Sequence, residues 1–204
     1  MRRFRTAALA VLAAVAVAAP PSYAAAPGPA RPLAWTDPAG DALVPHGSLD
    51  IVGVTVRTTG RVVRRAYRPE RLVVTLRVAD AVVAPAGVTY HVRATIPDCG
   101  DLDLVYTPGS IYSVAGSNAW AFGECAVLRP TVAGTTVYVT PVRATVAGAT
   151  VTWTVPLDLV DVEAGTEFTA VEARTEVCEP VFGYFGNGVA VSDGASTTRR
   201  WRAG

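Results

Sequence analysis

From Trp35 onward, apolar residues recur at every second position of the chain. Val52, Val54 and Val56 alternate with Gly53, Thr55 and Arg57. Leu72, Val74, Leu76 and Val78 alternate with Val73, Thr75, Arg77 and Ala79, and Val88, Tyr90, Val92, Ala94 and Ile96 with Thr89, His91, Arg93 and Thr95. Leu102, Leu104 and Tyr106 keep the same beat, as do Val151, Trp153 and Val155 between Thr150, Thr152 and Thr154. A period of two puts successive side chains on opposite faces of an extended strand. Each run therefore predicts a strand with one face in a core and one in water. Thr and Arg at the outward positions satisfy β-propensity and hydration together. Breaks at Thr59-Gly60, Pro69-Glu70, Pro85-Ala86-Gly87, Pro108-Gly109 and Ala147-Gly148 separate the runs at short intervals, as hairpin turns do. The fold class that follows is all-β: a single antiparallel β-sandwich, jelly-roll-like. Pro141 shifts the alternation from odd to even positions and predicts a bulge or an edge strand, because proline cannot donate to the ladder. Only Leu157 to Glu163 predicts a short helical turn.

The N-terminus has a different pattern. Arg2, Arg3 and Arg5 precede a nearly continuous Ala/Val/Leu run from Thr6 to Ala19, which Pro20 and Pro21 break before the small residues Ala24, Ala25 and Ala26. That order predicts a secretory signal peptide cleaved after Ala24 or Ala26. The apolar run is shorter than the roughly 20 residues that span a bilayer, so no membrane insertion is expected. The expected organisation is a signal peptide at 1–24, a flexible Pro-rich leader at 25–34, the sandwich at 35–191, and a C-terminal tail or last strand at 192–204. The expected destination is secreted, extracellular.

Composition sharpens the picture in two respects. All 18 basic residues are arginine, and with abundant Ala, Val, Gly and Pro this points to the GC-rich coding of a high-GC bacterium. Loss of Arg2, Arg3 and Arg5 with the leader leaves 15 arginines against 17 acids, a formal charge of −2. No basic stripe is visible along the sequence, so nucleic acid is not an expected partner. Export also permits disulfides. Cys99, Cys125 and Cys178 are the three cysteines; a Cys99–Cys125 bridge with Cys178 free is the favoured arrangement, although Cys178 could displace either partner.

Candidate chemistry is sparse. Asp37-Pro38-Ala39-Gly40-Asp41, followed by Asp50 at the mouth of a strand, gathers three carboxylates near a tight turn. Hard oxygen ligands of this kind suit calcium, while the same residues also serve as ordinary turn formers. Asp101 and Asp103 share a strand face and read as solvated residues. His46 and His91, the two histidines, show no evident partner, and His91 falls on an outward strand position. No Gly-x-Ser-x-Gly elbow and no His-Glu-x-x-His zinc motif occurs. Trp35, Tyr112, Trp120, Tyr184 and Phe185 lie in turn-rich stretches and are the candidate sugar-stacking rings.

The run from Asp37 to Asp41, then Leu49-Asp50-Ile51-Val52 entering a strand, resembles exported bacterial β-sandwich modules of the DOMON and carbohydrate-binding type. Val151-Thr152-Trp153-Thr154-Val155-Pro156, with Gly165 and a strand from Phe168, is similar to the end of such modules. The resemblance implies a sandwich that binds sugar, and in some members calcium or haem; no axial haem-ligand motif is present here. The functional expectation is a secreted, non-catalytic binding protein for a polysaccharide, a cell-envelope component or a protein partner. The alternative is an exported hydrolase with a carboxylate site on the sheet face or loops.

Overall fold

The structure is a computed structural model, and it describes residues 28–43, 46–82, 88–97, 100–108, 119–122, 139–160, 162–177 and 190–204. Thirteen strands occur among them. In chain order they are β1 (Leu33–Thr36), β2 (Ile51–Val63), β3 (Ala66–Val78), β4 (Val88–Ile96), β5 (Gly100–Tyr106), β6 (Ala119–Phe122) and β7 (Val139–Pro141). Then follow β8 (Arg143–Ala147), β9 (Thr150–Pro156), a 3-10 turn at Leu157–Leu159, β10 (Glu167–Phe168), β11 (Ala170–Val177), β12 (Ala190–Thr197) and β13 (Trp201–Arg202). One sheet has the order β1-β2-β3-β9-β8 and a second the order β12-β11-β4-β5-β6-β7, with β10 and β13 forming a short ribbon. Every pairing is antiparallel. The fold is an all-β sandwich, as the alternation predicts.

The period-two residues fill the space between the sheets. Val54, Val56, Leu72, Val74, Leu76, Val151, Trp153 and Val155 come from the five-stranded sheet, and Tyr90, Val92, Ile96, Leu102, Leu104, Val171 and Ala173 from the six-stranded one; all are buried. Trp153 and Tyr90 are the largest fully buried side chains, and each carries a polar atom that must be satisfied in the interior. Trp153 Nε1 donates to the Val105 carbonyl at 3.1 Å, and Tyr90 Oη donates to the Ser48 carbonyl at 3.1 Å. Both bonds cross from one sheet to elements of the other, so they fix the pairing of the two layers. Burial also pushes the Tyr90 hydroxyl pKa up to about 12.

Pro141 lies in β7, at the edge of the six-stranded sheet, where its missing N–H breaks no ladder. One residue later the chain enters β8 of the other sheet, so the phase shift in the sequence marks a change of layer. The C-terminal residues are built into the domain. β12 begins at Ala190 and pairs along β11, so a boundary at 191/192 falls inside a strand; likewise β1 begins at Leu33, inside the expected leader. Phe168 and Trp201 meet edge-on at 5.0 Å between ring centroids. Trp201 Nε1 donates to the Arg31 carbonyl at 2.8 Å, and Thr58 Oγ1 donates to the Gly204 carbonyl at 2.7 Å.

The β2–β3 hairpin outgrows its sheet. Its neighbour β9 pairs only with Arg71–Arg77, so residues 60–69 form a two-stranded arm. A register shift at Thr59/Gly60 starts the arm, and a Cβ at Gly60 would collide with the Arg68 carbonyl oxygen. Two residues close the hairpin between the paired Val63 and Ala66. They are Arg64 and Arg65, with φ of 49° and 67°, the left-handed values that a type I′ turn demands and that Asn-Gly adopts most easily. Replacing Arg64 by Asn together with Arg65 by Gly should therefore raise the unfolding free energy by about 1 kcal/mol. A urea titration checks this, and an unchanged or lower midpoint would contradict the turn assignment.

Candidate functional site

The acidic opening folds into one corner of the sandwich. After β1 the chain turns through Gly40, whose φ of 91° suits glycine. The Gly40 N–H donates to Asp50 Oδ2 at 2.7 Å, which closes the loop onto the mouth of β2. Leu43 N donates to the Ser192 carbonyl at 2.6 Å, holding the loop against β12. Between Thr175 and Glu176 the β11–β12 register slips by a residue, so that Asp193 stands opposite the inward Thr175. A bulge commonly re-aims a side chain in this way. Asp193 Oδ2 accepts from Ile51 N at 2.6 Å and its Oδ1 from Gly194 N at 2.8 Å.

One carboxylate oxygen each from Asp37, Asp41 and Asp193 lies within 4.8 Å of the others. Asp50 adjoins the group, only 6% exposed. Asp37 Oδ2 and Asp50 Oδ1 are buried without a hydrogen-bond partner. Burial raises the Asp37 pKa, and the charges of Asp193, Asp41 and Asp50 raise it further. Burial also raises that of Asp193 against the lowering effect of its two backbone donors, with Asp41 and Asp50 adding to the rise. Among the described residues no basic side chain forms an ion pair with any of the four. Oxygen ligands that repel one another and have spare lone pairs can hold a hard divalent cation. The sequence places Asp37, Asp41 and Asp50 together; Asp193 joins them only through the pairing of β12, and no local motif signals it.

A second group lies on the outward face of the six-stranded sheet. His91 is buried, not the bland outward residue its strand position suggests, and it has partners on both sides. Its Nδ1 lies 3.3 Å from Asp103 Oδ1. Its Nε2 lies 3.2 Å from Glu176 Oε2, a charge contact out of line for a hydrogen bond. Arg174 Nε sits 2.8 Å from Glu176 Oε1 and its Nη2 3.8 Å from Asp103 Oδ2. Asp103 is 4% exposed, so only Asp101 of the expected solvated pair is in water, ion-paired with Arg93. When His91 is protonated, two cations and two anions balance in this partly dry site. Burial works against the His91 charge, but Asp103 and Glu176 outweigh it and the pKa is raised. The contact with His91 holds the Glu176 carboxyl below its ordinary range despite burial. His46 also has a partner: its Nδ1 lies 2.8 Å from Ser48 Oγ. Ser48 is fully buried, so this pair pins a loop and offers no nucleophile to a substrate.

The five-stranded sheet turns its other face to solvent. Ala34, Thr55, Thr75, Thr152 and Thr145 stand in one row across all five strands, each paired in register with the next. Near the β8 edge, Thr154, Thr145, Pro156 and Val142 line an open groove of about 490 Å³. A separate open cleft of about 600 Å³ carries Asp158 and Glu163 beside Arg68.

Of the candidate rings, Trp35 is half-buried and packs against the core, with its indole N–H buried and unpartnered. Trp120 is half-buried on the outward face of the six-stranded sheet, in register with Val105 and Pro141. Tyr112, Tyr184 and Phe185 lie outside the described residues, as do Cys99, Cys125 and Cys178. No helix among the described residues is long and apolar enough to cross a membrane. No family model, curated protein or solved structure matches this chain.

The titrating groups set a pH optimum for stability. His91, with its pKa raised by folding, stabilises fully below about pH 6.5, and that contribution disappears as pH rises through its folded value. Glu176, with its pKa lowered, contributes above about pH 4.3 and loses the contribution as pH falls. The raised carboxyls Asp37 and Asp193 act in the same direction as His91, because their ionised forms destabilise the fold at higher pH. Stability without added metal should therefore peak between about pH 4.5 and 6.5. His91→Gln should cost about 3 kcal/mol at pH 5.5 and less at pH 8.5. Urea midpoints across that range read the effect, and a cost that grows with pH would contradict it.

Proposed function

We propose that this chain is an exported, non-catalytic binding protein for a polysaccharide or other cell-envelope component, with a calcium ion held in its acidic corner. The observation that carries the reading is the open face of the five-stranded sheet. Its hydroxyl row crosses four of the five strands, with Thr145 exposed and Thr55, Thr75 and Thr152 half-buried. An open, hydroxyl-bearing β-surface offers many weak, repeated contacts to an extended polymer, whereas a small substrate is better held in a concave pocket. The resemblance of the opening and closing segments to carbohydrate-binding modules supports the same reading. Purified protein should sediment with insoluble polysaccharide or isolated cell walls. Full recovery in the supernatant from every matrix would overturn the reading.

The hydrolase alternative rests on Asp158 and Glu163 at the open cleft, since glycoside hydrolysis needs two carboxylates and little else. Release of reducing ends from a retained polysaccharide, lost in Asp158→Asn or Glu163→Gln, would favour it over simple binding.

Calcium is supported by the four mutually repelling carboxylates and their two unpartnered oxygens. A cation there ties the β1–β2 loop of one sheet to β12 of the other, so it binds the folded state alone. At a hundredfold excess over Kd it should add about 2.7 kcal/mol, raising the melting midpoint by about 5–10 °C for a chain of this size. Asp193→Asn keeps the acceptor for Ile51 but removes a charge, so it should remove most of the calcium effect while raising stability in chelator. Superimposable melts in calcium and in chelator would exclude the site.

A further inference from the structure

The two sheets divide the charge of the protein between them. The strands of the five-stranded sheet hold six arginines, at 57, 61, 68, 71, 77 and 143, and a single acid, Glu70. That acid is already paired with Arg61 at 2.7 Å. The strands of the six-stranded sheet hold two arginines, Arg93 and Arg174, and five acids. One of those acids, Asp193, is turned into the acidic corner, and Asp101, Asp103 and Glu176 lie beside Arg93, His91 and Arg174. Near-neutral overall charge therefore conceals a basic face opposite a largely compensated one, and the absence of a basic stripe in the sequence does not carry over to the folded surface.

The arginines of the basic face are arranged around the hydroxyl row. Arg77 lies one row to one side of it, with its guanidinium about 4 Å from where a Gly53 side chain would begin. Arg57, Val73, Thr154 and Arg143 form the next row on the other side, and Arg71 follows beyond them. Arg57, Arg71, Arg77 and Arg143 are exposed, and among the described residues none of them has an ion-pair partner. The groove of about 490 Å³ lies between Arg71 and Arg143 and is lined by Thr145, Thr154 and Pro156, the first exposed and the other two half-buried. Guanidinium groups bind carboxylates through two parallel hydrogen bonds. Hydroxyls and a flat apolar ring suit the sugar ring that carries such a carboxylate. The arm extends the same charge: Arg64 and Arg65 occupy its tip in a left-handed conformation that Asn-Gly would adopt at lower cost.

We infer that the outward face of the five-stranded sheet binds an anionic polysaccharide, with Arg71 and Arg143 clamping acidic sugar units in the groove beside β8. This rests on the binding-protein reading above and adds the charge class of the polymer and the residues that take it. Polyuronate is favoured over nucleic acid because the hydroxyl row and the groove match pyranose rings, and no aromatic side chain stands at the outward positions of β2, β3, β8 and β9 to stack a base.

The test uses the purified protein in calcium-free buffer with four probes: polygalacturonate, amorphous cellulose, a DNA duplex, and phosphatidylglycerol vesicles. Expected is binding to polygalacturonate that weakens about tenfold between 50 and 200 mM salt, as screened charge contacts do. Arg71→Gln with Arg143→Gln should lower that affinity at least about tenfold, with an unchanged melting midpoint because both side chains are exposed. Arg93→Gln, on the opposite sheet, should leave it unchanged. Equal weakening by Arg93→Gln would overturn the location. Salt-independent binding to cellulose, indifferent to the arginine pair, would overturn the charge class and leave the binding-protein reading standing. Tighter binding to DNA or vesicles than to polygalacturonate would overturn the polysaccharide assignment. Binding to none of the four would overturn this inference, and only retention on cell walls would then preserve the broader reading.

Discussion

Four residues, Ser48 to Ile51, determine how the two sheets are locked together. Buried between the layers, they have no neighbouring strand of their own sheet until β2 begins, and their polar backbone groups still require partners. Leu49 N donates to the His46 carbonyl and the Asp50 carbonyl accepts from Ala79 N, and the opposite sheet supplies three more partners. Tyr90 donates to the Ser48 carbonyl, Thr175 Oγ1 donates to the Leu49 carbonyl at 2.6 Å, and Asp193 accepts from Ile51 N. Leucine and isoleucine side chains in the same segment join the apolar core. The segment is thus apolar in its side chains and polar in its backbone, and both needs are met only at one relative placement of the sheets. That placement brings Asp193 beside Asp37 and Asp41. The acidic corner is a consequence of locking the layers, and its electrostatic repulsion is a cost that a bound cation can offset.

Division of charge between the faces follows from the same architecture. In a sandwich the inner faces are mostly apolar, so a charged group of a strand goes outward unless, like Asp193, it finds partners inside. Which charges become neighbours then depends on strand order alone. β3 pairs with β9 across a long interval of sequence, and β8 lies beyond it. That order sets Arg71 near Arg143 and assembles the threonines of four strands into one row. On the other sheet, the pairing of β11 with β4 and β4 with β5 sets Glu176, His91 and Asp103 side by side. There, opposite charges are close enough to compensate; around the hydroxyl row they are not, and the guanidinium groups of Arg57, Arg71, Arg77 and Arg143 remain available.

Much of the fold is legible in the sequence because burial of one face imposes a period of two. β2, β3, β4, β5 and β9 all coincide with alternating runs, and the phase shift at Pro141 coincides with a change of sheet. The short strands β6, β7, β10 and β13 contain too few residues to show a period. Site residues are legible only where they are close in sequence. Asp37, Asp41 and Asp50 share a loop and its strand, whereas Asp193 arrives from the far end through a bulge. His91 looks solvated because alternation assigns it outward; its burial depends on β5 and β11 residues that no local pattern ties to it. The basic face was invisible for the same reason, since its arginines are scattered from position 57 to position 143.

The proposed ligand surface is the outward face of the five-stranded sheet. Hydrogen exchange of the protein with and without polygalacturonate oligomers locates the contact without assuming which residues matter. Binding on that face should slow exchange in β3, β8 and β9, centred on the segments that contain Arg71, Arg143 and Thr154, with β4, β5 and β11 unchanged. Protection confined to β4, β5, β6 and β11, around His91 and Trp120, would contradict it and place the ligand on the opposite face of the sandwich.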